Sequence, residues 1–488
     1  MREWIGIYWP YVSGAVVFTT AVVAASHAIL YKREVRASIG WVGLVLFVPL
    51  LGALLYALLG INRIRRKAAT LRRIAGRRRD ARAALPCSRE DVLERFGRAR
   101  ADLASAVGRI TSRPLLGGNQ ATPLSCGDQA YPAMLDAIAG ARQSVTMMTF
   151  IFDNDAWGRR FVEALVAAHD RGVEVRVLID AAGVRYTRPP ISRALRRAGV
   201  PTALFMPIVF ARLFHLNLRL HRKLLVVDGE LAFSGGLNIR AGHVLEAPCS
   251  AKAQQRDDTH RIRDLHFRLE GPIVGQLQET FAEDWAFTSG EELAGSRWFP
   301  QLDVRGEVLA RAIGDGPDED LDRMQWTLLV ALASARESIR IVTPYFLPEQ
   351  PIVSALNAAA LRGVQVDIVV PERGNLRLVA WAMWAQFWRV LRHGCRLWLS
   401  PPPFDHTKLL VIDDEWALFG STNWDPRSLR LNFELNVEAF DSALAKQLGA
   451  EVDARIGRAR LLSREELEGR GLPRRLRDGL ARLLSPYL

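Results

Sequence analysis

Two short stretches of this 488-residue chain repeat each other in residue type and spacing. They are His221-Arg222-Lys223-Leu224-Leu225-Val226-Val227-Asp228 and His406-Thr407-Lys408-Leu409-Leu410-Val411-Ile412-Asp413. Imidazole titrates near pH ~6.5, so one histidine can act as a nucleophile while the other carries a proton to or from an oxygen. Ammonium groups beside them suit the oxygens of a phosphodiester and of its charged transition state. A lone histidine more often only satisfies a hydrogen bond in a core. A histidine repeated with the same lysine beside it points instead to chemistry. Two lysines next to both imidazoles would repel a divalent cation, so neither a metal nor another cofactor is expected.

The apolar run in each motif predicts a buried strand, whose period of two puts His and Lys on one face and Asp on the other. Asp228 and Asp413 therefore complete the motif but read as structural. The chain then turns back through Gly229-Glu230 into Leu231-Ala232-Phe233-Ser234-Gly235-Gly236-Leu237-Asn238. In the second copy it turns through Asp414-Glu415 into Trp416-Ala417-Leu418-Phe419-Gly420-Ser421-Thr422-Asn423. Two-residue hairpin loops would pair Asp228 with Leu231 and Asp413 with Trp416. That register sets His221 opposite Asn238 and His406 opposite Asn423, and a loop one residue longer would break it. Asn238 and Asn423 then join Lys223 and Lys408 as donors. Ser421 adds a hydroxyl in one copy only, because Gly236 stands at its place in the other. Beyond the hairpins, Asp264 and Glu434 fall at comparable places on predicted strands. Each is either an ordinary ion-paired carboxylate or a partner that fixes an imidazole's tautomer and raises its basicity.

The elements that must position these residues also occur twice. Helix-period and strand-like segments alternate from residue 117 onward, as in layered α/β domains. Ala137-Ile138-Ala139-Gly140-Ala141-Arg142 is echoed by Ala331-Leu332-Ala333-Ser334-Ala335-Arg336, and Arg171-Gly172-Val173 by Arg362-Gly363-Val364. The two motif histidines lie 185 residues apart. A period that long means duplicated domains rather than a solenoid. Two such halves facing each other across a pseudo-twofold axis would bring both motifs into one cleft. Trp381, Trp384 and Trp388 sit at helical spacing and serve core packing, or else guide apolar chains toward that cleft.

The N-terminus is of another kind. Residues 4–31 and 37–62 carry no charged side chain. Each run is long enough for a bilayer, which takes about 20 residues. Only Lys32-Arg33-Glu34-Val35-Arg36 separates them, so a transmembrane helical hairpin is expected. Residues 61–82 then hold ten basic side chains against one acid, supplying +9 of the chain's net +13. Such a cluster is drawn to anionic lipid and marks the cytoplasmic side. The remainder is too weakly basic to suggest a nucleic-acid partner. The four cysteines show no paired spacing, so neither a disulfide framework nor a zinc cluster is indicated. The boundaries expected are two spans over 1–62, a basic segment and connector over 63–116, and domains over 117–300 and 301–488. The second domain ends in a basic amphipathic tail.

The paired motifs, with Gly235-Gly236-Leu237-Asn238 and Gly420-Ser421-Thr422-Asn423 behind them, resemble the phospholipase D superfamily. The whole chain is similar to the bacterial cardiolipin synthase branch. Trp41, Pro49, Tyr56 and Gly60-Ile61-Asn62-Arg63 carry that likeness, as do Thr343-Pro344-Tyr345-Phe346-Leu347-Pro348, Arg427-Ser428-Leu429-Arg430-Leu431-Asn432-Phe433-Glu434 and Leu483-Leu484-Ser485-Pro486-Tyr487-Leu488. The resemblance implies two phospholipase D-like domains, each a β-sheet flanked by helices, and an enzyme of the inner membrane with its catalytic body on the cytoplasmic side. It implies a metal-free double displacement in which His221 attacks the phosphorus of phosphatidylglycerol and His406 serves as acid, then base. It implies substrate contacts from Lys223, Lys408, Asn238, Asn423 and Ser421. A hydrolase would use the same groups with water as acceptor, and an inactive membrane scaffold is the remaining alternative. The residues alone do not say which histidine attacks, nor how many chains assemble.

Overall fold

The structure is a computed structural model that describes residues 2–32, 35–60, 86–206, 218–245, 261–317 and 322–485. The basic cluster within 61–82 and the terminal Pro486-Tyr487-Leu488 lie outside the described residues. The chain divides into two units, one containing the N-terminal helices and one containing the rest of the described fold.

In the first unit a helix runs over Arg2–Tyr31, and its Tyr8–Tyr31 portion is long and apolar enough to cross a membrane. The second apolar run, expected as one span, is divided instead. Helix Val35–Phe47 stops at Val48, a helix resumes over Pro49–Leu55, and a π-helical turn follows over Tyr56–Gly60. Pro49 causes the break. It brings no N–H and drives the preceding residue out of the helical region, and Val48 accordingly sits at φ −136°. His27 within the long helix meets the Tyr56 hydroxyl at 2.8 Å, which satisfies both polar groups inside an apolar segment.

The second unit is built on one continuous sheet of sixteen strands among the described residues. In its first half, Ser144–Thr149, Glu174–Asp180 and Thr202–Phe205 are parallel neighbours. On the other side of Ser144–Thr149 come Leu224–Val227, Leu231–Gly235, Leu265–Glu270 and Leu116–Ser125, each antiparallel to the last. The second half repeats the order: Arg396–Ser400, Gln365–Pro371 and Ser338–Val342 parallel, then Leu409–Ile412, Trp416–Gly420, Asn432–Phe440 and Val308–Asp315 antiparallel. The halves join where Leu116–Ser125 meets Val308–Asp315.

Strand periodicity decides which helices cover which face. Leu224 and Val226 enter one core with helices Ile273–Ser289 and Ser442–Ile456, whereas Leu225 and Val227 enter another with helices Cys126–Gly140 and Ala156–Asp170. Because both faces are covered, these strands are apolar at every position rather than alternating. The core shared by the halves is closed by Phe267 and Phe419, whose rings stack at 3.6 Å. The polar connector contains a 23-residue helix, Arg89–Thr111, capped by a reciprocal Ser88–Asp91 box.

Two local expectations fail. The motif strands are shorter than the apolar pattern suggests: pairing begins at Leu224 and Leu409, so His221, Lys223, His406 and Lys408 sit on irregular backbone. The hairpin register is also shifted by one, with Val227 facing Leu231 and Ile412 facing Trp416. Each turn takes three residues, and the first two have positive φ: Asp228 and Gly229 in one, Asp413 and Asp414 in the other. Asp tolerates that region better than most residues. Here its carboxylate is held by the backbone N–H groups of residues 142–144 or 336–338. The ladders end at Leu224/Ser234 and Leu409/Phe419, so neither histidine faces an asparagine as a ladder pair.

Candidate active site

The segment before each motif leaves its own half and pairs with the other. Arg219–Leu220 runs parallel to Asn432 and Phe433, and the His221 N–H donates to the Phe433 carbonyl at 2.9 Å. Phe404–Asp405 runs parallel to Ile262–Arg263, and the His406 N–H donates to the Arg263 carbonyl at 2.7 Å. This exchange sets each imidazole beside the acid of the opposite half. His221 Nδ1 meets Glu434 Oε2 at 2.9 Å, and His406 Nδ1 meets Asp264 Oδ2 at 2.7 Å. The two histidine side chains are 10% and 12% exposed, and both acids are fully buried. With Nδ1 held by a carboxylate, Nε2 is the ring nitrogen turned toward any bound group.

The two acids are supported differently. Glu434 also receives the Ser421 hydroxyl at 2.5 Å and the Asn432 amide at 3.1 Å. Asp264 receives its neighbour's N–H, Leu265 to Oδ1, at 2.8 Å. Gly236 occupies the place of Ser421, and a Cβ there would lie 2.0 Å from Asp264 Oδ1. The shorter Asp264 fills the space that Ser421 uses in the other half, so Gly with Asp and Ser with Glu form two matched solutions.

Charge separates the pairs further. Burial would raise Glu434, but His221, Lys223 and the Ser421 hydrogen bond outweigh it and hold Glu434 below the usual range. Burial raises Asp264 despite Lys408 and His243 nearby. Burial also lowers both imidazoles, against the pull of Glu434 on His221. His406 falls well below its ordinary value, because Lys408, Lys223 and His221 add to burial. The same desolvation pushes Lys223 down to about 7 and Lys408 to about 8, so both sit poised to respond to an incoming anion. Lys223 Nζ donates to the His221 carbonyl at 2.5 Å, and Lys408 Nζ lies 2.7 Å from His406 Nδ1 and also reaches the His406 carbonyl.

Other sequence candidates take supporting places. Asn238 accepts the Ile151 N–H at 3.0 Å, and Asn423 donates to the Ser428 hydroxyl at 3.1 Å. Asp228 and Asp413 stay at their turns, and Asp413 also takes the buried Arg100 guanidinium at 2.5 Å.

Several residues of the site escaped the sequence reading. Arg222 is buried and ties the Glu434 carbonyl to Asp284 and to the Asp315 carbonyl. Its place inside the motif is a signal, although Thr407 in the other copy hides it. Asp180 accepts the Leu220 N–H at 2.9 Å and fixes the crossing segment. The ring of Phe150 lies 5.4 Å from His221, while Phe404, Tyr345 and His243 lie 6.1, 6.3 and 6.5 Å from His406. Nothing in sequence spacing brings these rings together.

Two family models match the chain: "Cardiolipin synthase, PLD-like domain" over residues 134–285 and 328–456, and "Phospholipase D-nuclease N-terminal" over 20–60. Cardiolipin synthase A of Pseudomonas aeruginosa is 33% identical over 473 residues, covering 96% of this chain and 94% of its own length. The major cardiolipin synthase of Bacillus subtilis is 30% identical, covering 94% of this chain and 95% of its own. Among solved structures, phosphatidylserine synthase of Haemophilus influenzae aligns with a TM-score of 0.58 over 79% of this chain and 100% of its own, at 14% identity. That last likeness bears on the fold alone.

Proposed function

The chain belongs to the phospholipase D-like cardiolipin synthase family, and from that premise we propose that it is a membrane phosphatidyltransferase making cardiolipin and glycerol from two phosphatidylglycerol molecules. The observation that carries the reading is the crosswise pairing of His221 with Glu434 and His406 with Asp264. It supplies two buried, oriented imidazoles with two lysines beside them, in a chain as long as the cardiolipin synthases it matches.

His221 is assigned the attack because its carboxylate is the better supported one. Three side-chain donors keep Glu434 ionised, which raises the basicity of His221. Nε2 attacks phosphorus, the bond to the headgroup glycerol oxygen breaks, and His406 protonates that oxygen as glycerol leaves. The phosphate's charge favours the protonated imidazole that this step needs. His406 then takes the proton of a second phosphatidylglycerol hydroxyl, whose oxygen displaces His221 from phosphorus. Lys223 and Lys408 neutralise the equatorial oxygens throughout, while Asn238, Asn423 and Ser421 shape the pocket from behind. The N-terminal helices are proposed to cross the bacterial inner membrane twice, which leaves the enzymatic body on the cytoplasmic side with the basic segment.

The test is incubation of the purified chain with headgroup-labelled phosphatidylglycerol, alongside His221→Ala and His406→Ala. Cardiolipin and glycerol in equal amounts from wild type, both lost in the variants, are expected. Phosphatidic acid as the main product would make water the acceptor and overturn the transferase reading.

A further inference from the structure

The C-terminal helix Leu472–Leu483 carries Leu472, Leu476, Leu480 and Leu483 at 59% to 70% exposure. At 3.6 residues per turn these four fall within roughly 80° of arc. Asp478 and Ala481, both buried, mark the opposite side, where the helix packs on Arg377–Trp384. That docking is firm. Asp478 receives Arg470 at 2.6 Å and Arg477 at 2.7 Å, while these guanidinium groups lie over the rings of Trp384 and Trp381 at 5.0 and 4.5 Å. The tryptophan-rich stretch thus holds the helix with its leucines outward. Arg475 and Arg482 are exposed along one flank of the stripe, Arg477 borders the other flank while tied to Asp478, and the helix's one acid is thereby spent on its packing side.

We infer that this helix lies in the interface of an anionic lipid bilayer, giving the enzymatic body a membrane contact separate from the N-terminal helices. An apolar stripe flanked by arginine is the pattern of an interfacial helix, with leucines among the acyl chains and guanidinium groups at the phosphates. Charge argues against a second copy, since a self-contact would set the arginines of both helices against each other. Four leucines on twelve residues also fall well short of the roughly 1,200 Å² that a stable protein interface buries. The inference rests on the geometry of this helix and not on the transferase reading.

The full chain would be reconstituted in phosphatidylserine vesicles bearing a photoreactive group on the acyl chain, a lipid probe that reports contact without turnover. Label on the peptide spanning 472–484 is expected. Replacing all four leucines by serine (L472S, L476S, L480S, L483S) removes no buried packing. It should lower that label about tenfold and leave label on residues 8–31 unchanged. An unlabelled 472–484 peptide in wild type overturns the inference. If the serine variant then also changes the oligomeric state, a second copy is the occupant.

Discussion

At the scale of single residues, the two halves differ most usefully at Gly236 and Ser421. A side chain at 236 would meet the Asp264 carboxylate at 2.0 Å, whereas Ser421 donates to the longer Glu434 at 2.5 Å. Gly236→Ser alone is therefore expected to displace Asp264, free His406 and reduce kcat by about 100-fold or more, since orienting groups of this kind are worth that much. Adding Asp264→Glu rebuilds the arrangement of the other half and should restore much of the loss. Wild-type turnover in Gly236→Ser would sink the matched-pair explanation. The sequence displayed the asymmetry at these positions but not its cause. Spacing along a strand tells which residues share a face, and it says nothing about how far a carboxylate from another strand reaches into the space between them.

At the scale of elements, the turns after each motif strand are set by Asp228 and Asp413. Both hold three successive backbone N–H groups, and only Asp413 also holds Arg100, which is 1% exposed. Asp228→Ala leaves backbone donors unpaired at a cost of about 1–3 kcal/mol. Asp413→Ala additionally removes one partner of a buried guanidinium and should cost about 3 kcal/mol or more. Thermal unfolding of the two variants in detergent should place Asp413→Ala clearly lower, and equal Tm values would show that Arg100 contributes nothing there. These carboxylates also explain the misread register. The two-residue hairpin is the commoner turn for such strands, but a carboxylate that caps a distant loop draws one more residue into the turn. Arg100 arrives from a connector helix with no sequence signal linking it to residue 413. The alternation of helices and strands was legible because burial on each face follows periods of 3.6 and 2. The break at Val48 was not read: uniform apolarity over 37–62 suggested one span, although Pro49 marks the point where the helix stops.

At the scale of the whole molecule, duplication was visible as repeated segments, whereas the exchange between halves was not. Arg219–Leu220 and Phe404–Asp405 are too short to read as strands, and each finds its partner more than 140 residues away. Their reciprocal crossing means that neither half holds a complete imidazole–carboxylate pair. Coupling should follow the crossing. In a double-mutant cycle on thermal stability, His221→Ala and Glu434→Gln should show a coupling of about 1 kcal/mol or more, as contacting residues do. His406→Ala with Asp264→Asn should behave alike. His221→Ala with Asp264→Asn joins residues of the same half whose side chains bond to different partners, and these effects should add within about 0.5 kcal/mol. Strong coupling within halves and none across them would mean that the chain holds two self-contained sites, and the single-site mechanism would fall with the crossing that supports it.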